Sequence, residues 1–491
     1  MGVLLKQSFW ASTFSYLGAI LGLVNQIFLY PYFLQPDEVG LFSQIQSFAM
    51  LATPVAALGM GATAVKFKPT FEGKAQKAFI SYLFLGALLG LAAILTIVTI
   101  FSDYIIAFYE ENAPMVGEYY EVAMVLICVM TLLSVNEGIS RAYMKTIYLN
   151  FLKDVLVRSL ALILIVCYSF SLVSFDQAIS CIVLLYLPSL FLLAFYNYRK
   201  GFISLGGKLK NISGHLKEMN RFALYSVLSS AGGIIVLNVD VQMVTALINL
   251  EATGIYTRAF YMAVVIELPR RAIAQIAAPL IVNSFKNNDL PAIERLYKSL
   301  SINQMIVGML FCLGIFLNID SIYSLMHNGE IYAAGTMVVL VVGVSKLIDM
   351  TFSVNSEIIS MSSHYKYSTY TILLLAVLSI FLNYLLIPVY GIDGAAYASL
   401  ISMSIFNLTK LVIVWKKYGM MPFSIKNLYV LGIAAVTWVL CSLIPQIPST
   451  ILDVLVRSAA ITVLFCGLVV LLKVSEDINN YINKLISKFK R

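Results

Sequence analysis

Six basic side chains, Arg258, Arg270, Arg271, Lys346, Lys410 and Arg457, fall inside long apolar stretches of this chain. A Lys or Arg at the centre of a membrane helix costs about 2.5 to 3.5 kcal/mol on insertion scales, so each is expected to face a bundle interior or a wet cavity. Anion binding is the chemistry that suits such groups, because guanidinium grips phosphate through paired, charge-assisted hydrogen bonds. Arg258, Arg270, Arg271, Lys346 and Lys410 are therefore the candidate cavity lining for a diphosphate head group. Arg457 stands apart, near the outer end of the last apolar block. The neighbouring acids offer a plainer role, internal ion pairing that lets the charges enter a bilayer. Lys346, Asp349, Ser353 and Glu357 follow one another at helical steps and form one polar stripe. Glu267 is similarly spaced from Arg270 and Arg271.

A second constellation could hold a coupling ion. Asp240, with Asn238 and Gln242 nearby, sits at the depth that Asn25 and Gln26 occupy in the first apolar block. Polar groups at matching places in two repeats often mark a binding site, and a helix-to-helix hydrogen bond is the competing explanation. No catalytic residue and no metal site is expected. The six cysteines lie in apolar blocks without C-x-x-C spacing, and the three histidines are far apart in predicted loops. The loops are short, and they carry neither a phosphate-binding glycine loop nor a nucleophile with its base. No cofactor is called for beyond a possible proton or sodium gradient.

The elements that position these residues follow from composition. Of the 491 residues 60% are hydrophobic and only 12% charged, against about 25% charged in soluble domains. The apolar residues come in blocks longer than the roughly 18 needed to span hydrocarbon. About fourteen such blocks can be drawn, among them 155–174 and 255–282, which predicts an all-α, polytopic membrane protein. The first block is read as a retained helix, not a cleaved signal. With the N-terminus inside, 27 of the 33 basic residues fall in cytoplasmic segments, from Lys6 to Arg491, and the outer loops hold acids such as Asp37, Glu110, Asp320 and Glu330. Both termini are thus expected in the cytoplasm. The net charge of +8 reads as a topology signal and argues for membrane lipids, not nucleic acid, as its partners.

Glu38-Val39-Gly40-Leu41-Phe42-Ser43 and Ala252-Thr253-Gly254-Ile255-Tyr256-Thr257 share an order of glycine, aliphatic, aromatic and hydroxyl, offset by 214. The repeat predicts two parallel six-helix bundles plus two C-terminal helices. The expected domains are 1–198 and 222–415 for the bundles, 199–221 for a basic cytoplasmic linker, 416–473 for the additional helix pair, and 474–491 for a basic amphipathic tail. Gly18 with Gly22 and Gly86 with Gly90 are spaced for close helix approach.

The repeated hexapeptides, Pro269 and Pro279 after Gly254-Ile255-Tyr256, and Pro388-Val389-Tyr390-Gly391-Ile392-Asp393-Gly394-Ala395-Ala396 resemble the multidrug/oligosaccharidyl-lipid/polysaccharide exporter superfamily. The likeness is to its polysaccharide-transporter branch of O-antigen-type lipid-linked oligosaccharide flippases. It implies a V-shaped pair of bundles around a central cavity in the bacterial inner membrane, with alternating access. The implied cargo is an undecaprenyl-diphosphate-linked sugar unit, turned outward for O-antigen, capsule or exopolysaccharide synthesis beside a polymerase and chain-length machinery. A cation-coupled multidrug or metabolite antiporter and a lipid II flippase are the alternatives within the same superfamily.

Overall fold

The computed structural model describes residues 13–15 and 17–489, without the side chains of 271, 272, 275 and 483–489. Every regular element among the described residues is a helix, because a backbone in lipid must satisfy its hydrogen bonds within each segment. Among the described residues twelve helices are long and apolar enough to cross a membrane, from Thr13–Phe33 to Thr450–Leu471. The other two expected blocks are helical as well, but broken. Residues 146–169 form one helix with a π-helical turn at Phe151–Leu156. Residues 250–286 pass through a tight 3-10 turn at Val265–Glu267 into Pro269, which has no N–H to continue the ladder.

The helix that starts at Thr146 revises the expected start near 155. Lys153 and Arg158, counted among the cytoplasmic basic residues, lie inside it together with Asp154. Two of these charges have partners there. Lys153 Nζ is 3.0 Å from a carboxylate oxygen of Glu137, which also pairs with Arg141 at 3.1 Å, and Asp154 accepts from the Ser15 hydroxyl at 2.9 Å.

Contacts divide the chain into two compact units, Met1–Thr257 and Arg258–Arg491. In the first, both predicted glycine pairs mark close approaches. Cβ atoms at Gly18 and Gly22 would stand 2.5 Å from the Asp154 carbonyl and 2.9 Å from the Arg158 guanidinium. Those at Gly86 and Gly90 would meet the Met60 sulfur and the Ala56 carbonyl. The repeated hexapeptides touch one another. A Cβ at Gly40 would lie 1.9 Å from the Leu250 carbonyl oxygen, and one at Gly254 would lie 1.9 Å from that of Pro36. Ser43 Oγ is 3.5 Å from Thr257 Oγ1. Exchanging residues by the repeat offset maps this contact onto itself, which is the property of an isologous interface. Beside it the buried Gln242 accepts from Gln44 at 2.8 Å and from the Tyr109 hydroxyl at 2.7 Å.

In the second unit, the turn between helices Lys366–Tyr390 and Ile392–Tyr418 is made at Gly391, with φ of +60°, a conformation glycine adopts freely. A Cβ at Gly394 would come within 2.2 Å of the Leu386 carbonyl. The glycines of the late-hairpin motif thus have steric causes. Arg457 pins the last long helix. Its guanidinium donates to the carbonyls of Cys441 and Ile444 and to Asp453 at 3.1 to 3.3 Å, and Asp453 also accepts from Ser321 at 2.9 Å. The terminal helix Glu476–Phe489 is tethered at its start, where Ser299 and Asn303 donate to Asp477 and Lys426 pairs with Glu476. The side chains of Lys484, Lys488, Lys490 and Arg491, and Lys6 at the other end, lie outside the described residues.

Candidate functional site

The second unit gathers most of the intramembrane charges that stand out in the sequence. Three helical segments supply them, and two are irregular. Glu267 closes the 3-10 turn before Pro269, and Arg270 follows within the next turn. Helix Thr336–Thr351, carrying Lys346 and Asp349, stops where Ser353 takes a left-handed φ of +55°, and Asn355–Ser360 resumes the helix with Glu357. Irregular backbone at membrane depth is tolerated only inside protein or beside a wet cavity. The third segment, Ile392–Tyr418, is unbroken and brings Asn407 and Lys410 on one face.

These charges pair across helices. Arg270 Nη1 lies 3.0 Å from Asp349 Oδ2 and 3.8 Å from Glu267 Oε1. Lys346 Nζ is 2.9 Å from Glu267 Oε2, although the sequence stripe sets Asp349 closer along its own helix. Lys410 Nζ lies 3.9 Å from Asp349 Oδ1, donates to Ser356 Oγ at 2.9 Å, and sits 3.8 Å from the centre of the Phe406 ring. Asn407 donates to Asp349 Oδ1 at 3.0 Å and accepts from Asn355 at 3.3 Å. Lys410 is only 1% exposed and Asp349 4%, so desolvation makes every partner count.

Glu267 and Asp349 each pair with two of these cations. Glu357 has no cation within ion-pair distance among the described residues, and its Oε2 is buried without a hydrogen-bond partner there. Arg270, Lys346 and Lys410 thus share Glu267 and Asp349 as partners. An arriving anion would have to take over cations that carboxylates already hold. The buried Nε of Arg270 has no hydrogen-bond partner among the described residues.

The remaining expected residues are placed separately. Arg258 is buried, with its guanidinium 5.5 Å from the Tyr261 ring, and the side chain of Arg271 lies outside the described residues. In the first unit, Asp240 accepts from the Tyr256 hydroxyl at 2.7 Å, and Asn25, on a π-helical turn at Asn25–Leu29, donates to the Arg158 carbonyl at 2.9 Å. Gln26 is half-buried in the same turn. Asn407, Asn355 and Ser356 were missed from the sequence; Asn407 could have been found from its place one helical turn before Lys410.

Residues 4–285 match the family described as "Polysaccharide biosynthesis protein". A stretch of 211 residues, 41% of this chain, is 22% identical to a "Probable low-salt glycan biosynthesis flippase Agl15" of Haloferax volcanii and covers 44% of that protein, less than half its length. Among solved structures, the fold matches a "Lipid II flippase MurJ, inward closed conformation" with a TM-score of 0.75 at 13% identity, covering 94% of this chain and 98% of that one. It also matches a multidrug resistance MATE family transporter of the MOP superfamily, inward-facing, with a TM-score of 0.67 at 13% identity, over 82% and 94% of the two chains. These proteins are flippases and transporters, not enzymes, in agreement with the absence of a catalytic constellation from the sequence.

Proposed function

Because the chain belongs to the polysaccharide biosynthesis protein family, whose glycan-flippase relative it resembles, we propose that it flips undecaprenyl-diphosphate-linked oligosaccharides across the bacterial inner membrane. The sugar unit is loaded at the cytoplasmic face and delivered outside by alternating access, for O-antigen, capsule or exopolysaccharide assembly by a polymerase and its chain-length machinery. The observation that carries the reading is the set of half-buried Arg270 and buried Lys346 and Lys410 on carboxylate partners. A phosphate, like those carboxylates, accepts paired charge-assisted hydrogen bonds from such cations. It binds by exchanging partners with Glu267 and Asp349, which leaves the network charged until the anion is released. A proton or sodium ion, with Asp240 as its first candidate ligand, supplies the driving gradient.

Deletion of the gene should accumulate lipid-linked glycan on the inner face of the membrane. Arg270→Gln, at unchanged abundance, should reproduce that accumulation, and full glycan export by this variant would end the proposal. The antiporter reading predicts instead raised tolerance to toxic cations on expression, with no glycan intermediate. Sidedness is checked with a cysteine at Lys208, which a membrane-impermeant reagent should label only after the membrane is opened.

A further inference from the structure

Arg270, Lys346 and Lys410 of the second unit are held by carboxylates, but Arg158 of the first unit has no carboxylate within ion-pair distance among the described residues. Arg158 lies midway along the helix 146–169, less than one turn beyond the point where hydropathy alone would start it. Its side chain is half-buried, and Nη1 is fully buried with no hydrogen-bond partner among the described residues. Asp154, the acid one turn before it, is taken by the Ser15 hydroxyl, and the neighbouring Glu137 is taken by Arg141 and Lys153. An arginine without a carboxylate partner at membrane depth is expensive.

The surroundings are shaped for that guanidinium. Gly22 opens a notch for it, since a Cβ there would lie 2.9 Å from Cζ and Nη1. Both helices that meet here carry a π-helical turn, at Asn25–Leu29 and at Phe151–Leu156, a distortion that recurs at functional sites. Asn25 ties the two together through the Arg158 carbonyl. A carbonyl so held fixes the backbone from which the side chain projects.

We infer that Arg158, set in the Gly22 notch, is an oxyanion-binding residue of the first unit that takes a phosphate of the transported lipid-linked glycan. The assignment of that phosphate to cargo rests on the function proposed above. The same chemistry would also accept the phosphate of a membrane phospholipid, and the two sources are separable.

The test uses the purified full chain in detergent, with farnesyl diphosphate, phosphatidylglycerol and uncharged farnesol as probes. Wild type should bind farnesyl diphosphate and ignore farnesol. Arg158→Gln should weaken binding of the diphosphate by roughly tenfold or more, the scale of a lost charge-assisted hydrogen bond. Arg158→Lys should recover part of the loss, and Gly22→Ala, which keeps the charge and only displaces it, should weaken binding too. If Arg158→Gln fails to fold, the Lys and Gly22 variants carry the comparison. Binding of phosphatidylglycerol, but not of farnesyl diphosphate, through Arg158 keeps the anion site and removes the cargo reading. Loss of diphosphate binding in Arg270→Gln with none in the Arg158 and Gly22 variants keeps the cargo reading and overturns the site. Binding of neither anion by wild type overturns it as well.

Discussion

Lys346 takes Glu267 as its ion-pair partner, 2.9 Å away on another helix, and leaves Asp349 of its own helix to Arg270. This exchange couples two helical segments that the sequence spacing would have left independent. Removing one member strands a mostly buried charge, with a cost of about 3 kcal/mol or more. Removing both members of a pair costs much less. Glu267→Gln should therefore lower the melting temperature of the detergent-solubilised protein more than Glu267→Met with Lys346→Met together. A double variant whose loss equals the sum of the two singles would show that the pair is not energetically coupled.

Gly40 and Gly254 should behave as equals. A Cβ at either meets a carbonyl oxygen at 1.9 Å, closer than any relaxed contact, and backbone cannot swing aside as a side chain can. Each Ala substitution is expected to destabilise by about 1 to 3 kcal/mol or more, with similar shifts in melting temperature for the two. Tolerance of alanine at one position only would mean that the reciprocal contact is not shared evenly.

Arg457 predicts a separation of stability from transport. Its bonds close the segment 443–449 onto the last long helix through the Cys441 and Ile444 carbonyls. Arg457→Ala should speed amide exchange across that segment roughly tenfold or more. Glycan export per molecule in the membrane should remain at the wild-type level. Export that falls in proportion to nothing but this substitution would give Arg457 a role in the transport path.

Particular residues mark where the sequence could be read and where it could not. The helices are legible because an apolar run of membrane length has no other stable form in lipid. The repeat is legible because Gly40 and Gly254 each fill a place that only glycine fits. The ion-pair partners are illegible, since spacing along one helix says nothing of what the neighbouring helix presents to Lys346. The start of the helix at Thr146 is hidden for a related reason. Lys153, Asp154 and Arg158 look like a loop to any scale that scores residues singly, and only the folded bundle supplies Glu137 to Lys153 and Ser15 to Asp154.

The same helix sets an order of events during synthesis. Carrying three charges, residues 146–169 would be a poor candidate for lateral release into lipid by themselves. Their partners Ser15 and Glu137 leave the ribosome earlier, so the segment can be received by helices already in place. Insertion of this stretch is therefore expected to depend on what precedes it in the nascent chain, and a version lacking the first helix would leave it stranded at the translocon.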